Sequence, residues 1–144
     1  LYLYVPSKQA LFEALVRSGI GGPIGAIEKQ VASLDASAET QLRALFDFFR
    51  VEILGTRRRD IVRLLLSEAD RVPGLAAFYH REVLSRGLAM LRGIATRALE
   101  SGEFKSDELV RFPQLAVAPA IVSLIWSHLF QNVEPIDMEA MFEA

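Results

Sequence analysis

The side chains able to do covalent or acid–base chemistry are few and dispersed. His80-Arg81-Glu82 sets an imidazole two residues from a carboxylate, and Glu68 and Asp70 lie one helical segment upstream. A general acid–base pair or a metal site would require these groups to converge across a turn, and the spacing alone does not bring them together. His128 has no carboxylate near it in sequence. Gly19-Ile20-Gly21-Gly22 is glycine-rich, but no strand precedes it and the spacing is not that of a phosphate-cradling loop. No Gly-x-Ser-x-Gly elbow and no paired metal motif occurs. Cysteine is absent, which excludes thiolate nucleophiles, thiolate metal sites and disulfides. The expectation is a protein that is not an enzyme, with no catalytic residues, no metal and no cofactor.

The remaining chemistry is that of binding. Sixteen Lys+Arg against 18 Asp+Glu give a formal charge of −2, so no bulk positive field gathers nucleic acid. Any contact with DNA must be local or made by sequence outside these 144 residues. The run Arg57-Arg58-Arg59 is the one basic cluster. It falls at an interhelix turn and reads as a solvated turn. With 51% hydrophobic and 24% charged residues the chain is globular and not disordered. It opens on Leu1-Tyr2-Leu3-Tyr4, apolar and uncapped, and ends as abruptly, so further residues are expected at both ends.

The elements that must position these residues are helical throughout. Ser7 follows Pro6 as an N-cap, and Leu11, Phe12, Leu15 and Val16 then share a face. Ile20, Ile24, Ile27, Val31 and Leu34 keep helical spacing across Gly19–Pro23, which predicts one long helix with a kink near Gly22-Pro23. Asp35 and Ser37 offer caps for a helix with the stripe Leu42, Leu45, Phe46, Phe49 and Ile53, ended by Gly55. A short helix follows with Ile61, Leu64 and Leu65 inward. Pro73 suits the first turn of a long helix that reaches about Gly102 with Leu84, Leu88, Leu91, Ala95 and Ala98 inward. Ser106 caps another start. Leu115–Phe130 carries no Asp, Glu, Lys or Arg, yet it is shorter than the roughly 20 residues a bilayer needs and is read as a buried or interface helix, not a membrane span. Pro135 begins a last segment with Met138, Met141 and Phe142 on one side. No period-2 alternation and no internal repeat is found. The fold class is all-α, five or six helices in one bundle.

Leu1-Tyr2-Leu3-Tyr4-Val5-Pro6-Ser7-Lys8-Gln9-Ala10-Leu11-Phe12-Glu13-Ala14-Leu15-Val16 resembles the end of the helix-turn-helix of TetR-family (tetracycline-repressor-like) transcriptional regulators. In that family the recognition helix closes on a Leu-Tyr pair, followed by a Pro-Ser-Lys type of turn and a helix that opens on a Leu-Phe or Leu-Leu pair. Leu3 departs from the pattern, since an aromatic residue is common there. A softer likeness to one regulator subgroup covers Arg63–Ala69 and Val72–Tyr79.

The resemblance implies a bacterial, cytoplasmic, ligand-responsive regulator, most often a repressor, that holds a palindromic operator as a dimer and releases it when an apolar or amphipathic effector binds. Residues 1–6 would be the tail of the DNA-binding head, 7–34 the linker helix, and 35–144 the ligand-binding and dimerisation domain. Tyr2, Tyr4 and Lys8 would reach DNA phosphates, while the base-reading residues would precede Leu1. Phe49, Phe78, Met90, Trp126 and His128 are the candidate lining of an effector pocket. The last two helices would pair with their two-fold mates through Leu124, Trp126, Phe130, Met138 and Met141, because a helix apolar on most sides needs a partner as well as a core. A helical protein-interaction module without DNA binding is the alternative. It accounts for the helices and the charge balance but not for the opening motif.

Overall fold

The computed structural model describes residues 7–33, 35–137 and 140–141, and all regular structure among them is helical. The succession is α1 (Lys8–Val16), a π-helical turn (Arg17–Gly21), α2 (Gly22–Ser33), α3 (Ala38–Phe48), a second π-helical turn (Phe49–Leu54), α4 (Arg58–Glu68), α5 (Leu75–Tyr79), a third π-helical turn (His80–Leu84), α6 (Ser85–Glu100), α7 (Glu108–Arg111) and α8 (Gln114–Leu129). The first and third π-helical turns join the helices on both sides without a break, and the second continues α3 and ends before the Gly55–Arg57 turn, so these elements form six continuous helical runs among the described residues. Tyr2 and Tyr4 lie outside the described residues, as do Met138 and Phe142.

Local chemistry sets the boundaries. The Ser7 hydroxyl accepts the Ala10 amide at 3.1 Å and Ser37 accepts that of Thr40 at 3.2 Å, both as N-caps. The carboxylate of Glu103 adds a cap from afar, accepting the amides of Ala38 at 2.9 Å and Glu39 at 3.3 Å. A negative charge is favourable at this helix end. Pro73 does not open a helix as its position suggested. It sits in the turn Val72–Leu75, which Gly74 closes with a φ of 85°, and α5 starts only at Leu75. Gly102, with a φ of 82°, follows the end of α6.

The interruption expected near Gly22-Pro23 takes the form of the π-helical turn just ahead of it. In an α-helix the residue at 23 would donate its amide to the carbonyl of Gly19. Proline has no such donor, and its ring crowds that carbonyl. The backbone widens over Arg17–Gly21 and resumes as α2. Arg58 Nε donates to the Gly19 carbonyl at 2.7 Å, so the acceptor left by Pro23 is satisfied from another helix. Helix α4 comes this close because Gly19 has no side chain. A Cβ there would stand 2.8 Å from Ile61 Cδ1.

Two apolar clusters make the core. The first gathers Phe12, Val16, Ile20, Leu75, Phe78 and Leu124 among others. The second gathers Ile27, Val31, Leu45, Leu91, Ile94 and Ala98. Some stripes differ from expectation in detail. In α4, Val62 is buried while Leu64 is exposed. In the α5–α6 run the π-helical turn adds a residue, so Val83 turns inward and Leu84 and Leu88 are half-buried.

Candidate ligand-binding site

Between the two clusters lies a cavity of about 120 Å³. Its walls come from α2, α3, α6 and α8, from Tyr79 at the end of α5, and from all three π-helical turns: Ile20 from the first, Phe49 and Ile53 from the second, Val83 and Leu84 from the third. Convergence of these turns matters because π-helical insertions recur at functional sites, where they re-aim side chains. The space itself arises from small residues. Gly87, Ala116 and Ala120 stand where larger side chains would close it, and a Cβ built on Gly87 meets no atom within 4 Å. Phe46, Phe48 and Met90 complete a wall that is almost entirely hydrocarbon.

Tyr79 is the one lining residue whose side chain bears an oxygen or nitrogen. It is only 6% exposed, and burial pushes its phenol up to about 12, which keeps it protonated at neutral pH. Its hydroxyl makes no hydrogen bond among the described residues.

The turns that frame the cavity are tied to one another. Arg58, besides its bond to Gly19, donates through Nη1 to the Glu52 carbonyl at 3.0 Å, so one guanidinium spans the first and second π-helical turns. Phe78 is clasped between guanidiniums of the first and third, Arg17 at 5.0 Å and Arg81 at 5.5 Å from its ring centre. Arg86 pairs with Glu28, fastening α6 to α2. The basic run at 57–59 is therefore more than a solvated turn. Arg57 is solvated and Arg58 is structural, while Arg59 donates to the Leu54 carbonyl at 3.4 Å.

Of the expected pocket residues, Phe49 and Met90 line the cavity. Phe78 is buried in the first core cluster beside it. Trp126 lies away from the cavity. Its Nε1–H donates to the Glu134 carbonyl at 2.6 Å, and its ring stands 5.2 Å from that of Phe130. His128 is exposed. Composition favoured large and aromatic side chains as lining, whereas the space is made by small ones. Ala116 and Ala120, one helical turn apart on an apolar helix, were the available signal.

Lys8 is exposed and lies 3.6 Å from Glu68 across the α1–α4 surface. His80 and Asp70 are also exposed. No group of three or more metal-capable side chains occurs among the described residues. No helix among them is long and apolar enough to cross a membrane.

The face of α8 away from the core is apolar and uncovered. Leu115, Val122 and Leu129 recur at seven-residue intervals, flanked by Ile121 and Ile125, and all are at least 40% exposed. Of the expected interface residues, Phe130 is exposed and Trp126 and Met141 are half-buried. Leu124 is 4% exposed and packs in the chain's own core.

A family model described as "Tetracyclin repressor-like, C-terminal domain" matches residues 35–143. No curated protein and no solved structure matches the chain.

Proposed function

The chain belongs to the family of tetracyclin repressor-like C-terminal domains, and from that premise we propose that it is the sensing and pairing part of a ligand-responsive transcriptional regulator. The regulator is a repressor that holds a palindromic operator as a dimer and lets it go when an apolar or amphipathic effector enters the cavity. The observation that carries this is the position of the cavity. It is apolar, and one of its walls is the π-helical turn in the run from α1 to α2, the helix nearest the expected DNA-binding head. Filling the cavity pushes on Ile20, and Ile20 sits where the helix is least regular. A ligand that binds the widened or shifted turn better than the resting one moves α1, and with it the head. Phosphate contacts come from Tyr2, Tyr4 and Lys8. Lys8 reaches a phosphate only by leaving Glu68, whose Oε2 is buried without a hydrogen-bond partner, so this exchange costs more than that of a fully exposed pair.

Pairing uses the uncovered stripe of α8. Burying five aliphatic side chains against their mates supplies the hydrophobic driving force, and the two-fold arrangement sets two heads about one turn of DNA apart.

The test has two arms. Light scattering should give a dimer mass for the chain and a monomer mass for Ile125→Glu, whose charge would be buried unpaired. DNA selected from a random pool by the full-length regulator should contain an inverted repeat, and Ala120→Leu, which fills the cavity, should keep DNA binding while losing release by effector. A monomer for the unmodified chain at micromolar concentration, or no enriched DNA sequence, would overturn the proposal.

A further inference from the structure

We propose that the effector is an uncharged, compact, largely hydrocarbon molecule with one hydrogen-bond acceptor, and that the Tyr79 hydroxyl is the group that reads this acceptor. The inference rests on the cavity being the effector site. Four observations combine. No charged side chain lines the cavity, so an ionised ligand would lie there without a counter-charge. The lining offers one side-chain polar group in a hydrocarbon wall, so a ligand with several polar atoms would leave most of them unsatisfied. The ring of Tyr79 is buried, while its hydroxyl is not among the fully buried polar atoms and makes no hydrogen bond among the described residues, so it is accessible and available to a ligand. Being protonated, it has a hydrogen to give, and the complementary group on the ligand is an acceptor such as a ketone or ether oxygen. Size follows from volume. The cavity, about 120 Å³, is close to an engineered apolar cavity of about 150 Å³ in another protein that takes up benzene, so the resting site holds roughly one ring. Phe46, Phe48, Phe49 and Met90 give such a ring faces to pack on.

The hydroxyl does not add much affinity. It selects. Among hydrocarbon molecules of equal size, the one with an acceptor in the right place gains the hydrogen bond, and the others gain only burial.

The test is a cycle of two ligands and two proteins, read by calorimetric titration. Cyclohexanone and methylenecyclohexane have nearly the same shape and differ in an oxygen against a CH₂. Tyr79→Phe keeps the ring and removes the hydroxyl, and circular dichroism verifies that it is folded. Cyclohexanone should bind about three- to tenfold more weakly to Tyr79→Phe, as expected for one hydrogen bond. Methylenecyclohexane should change by less than about twofold. Cyclohexanecarboxylate, the charged relative, should not compete with either. If both ligands respond alike to Tyr79→Phe, the hydroxyl is not the reader, although the cavity remains the site. If the carboxylate binds as tightly as the ketone, the neutral class is wrong. If none of the three binds the folded wild-type chain, or if Ala120→Leu leaves hydrocarbon binding intact, the cavity is not the site, and the reading beneath this one fails with it.

Discussion

Arg58→Met isolates the bond that stitches the first two π-helical turns together. The methionine keeps the aliphatic stem but none of the donors, so the carbonyls of Gly19 and Glu52 lose partners at 2.7 and 3.0 Å. A hydrogen bond from a charged donor contributes about 1.5–3 kcal/mol in a dry setting. The Arg58 side chain is 33% exposed, so water recovers part of this, and a net loss of about 1–2 kcal/mol is expected. Gly19 bears most of it, because Pro23 cannot supply the missing amide. With an m-value of about 2 kcal/mol/M, the urea midpoint should fall by about 0.5–1 M. Amide exchange adds a local signature: Ile20, Gly21 and Gly22 should exchange faster, while the amides of Ile94 and Ala95 in α6 follow only the global loss. Arg58→Lys should recover part of the stability, since a single ammonium can reach one carbonyl but not fork between two. A midpoint unmoved within about 0.2 M urea, or a loss of stability without faster exchange at 20–22, would refute the account of the Gly19 carbonyl.

Two further outcomes are expected. Gly87→Ala places a methyl group in open space inside a helix and should stabilise the chain by about 0.5–1 kcal/mol, raising the melting temperature by a few degrees. A decrease would mean that the backbone at 87 relies on glycine. Tyr79 has a folded-state value raised to about 12 from an ordinary 10.0. The stability this represents is therefore intact below pH 10 and lost as the pH climbs through 12. It amounts to at most about 2–3 kcal/mol, and Tyr79→Phe should remove that part of the alkaline decline in denaturation experiments at pH 9 and pH 12. Parallel curves for wild type and variant would contradict the burial of the phenol.

Element existence was legible because it rests on local signals. Ser7 and Ser37 announce their helices by side chains that cap whatever the tertiary context, and the Ile20–Val31 stripe survives the glycines since Ile20, Ile24, Ile27 and Val31 follow one another at spacings of four, three and four. The π-helical turns were not legible in detail. Pro23 marks a missing donor, but whether the chain kinks, breaks or widens depends on Arg58 being at hand, and that is a contact between distant residues. The turns at 49–54 and 80–84 have no proline within them, and their extra residue shifts the inward face in a way that a fixed period cannot anticipate. The cavity was legible only in part. Phe49 and Met90 read as large adaptable lining, whereas the hole between them is set by Gly87, Ala116 and Ala120, and an absence of volume leaves little trace in a hydropathy pattern. Trp126 read as an aromatic lining or interface residue, yet it serves the turn after α8 by binding the Glu134 carbonyl.

The π-helical turns have a consequence for how this chain should be laid against its relatives. Each holds one residue more than a regular helix requires. Removing a single codon within 17–21 would turn the wide turn into an ordinary α-helical one, and α1 would keep its rotation relative to α2. Phe12 and Val16 would stay in the core. One-residue deletions at 17–21, 49–54 and 80–84 are therefore expected to be absorbed locally, whereas the same change inside α2, α3 or α6 would turn everything upstream of it by about 100°. An alignment that forbids gaps inside helices will misplace the inward residues on one side of such a turn.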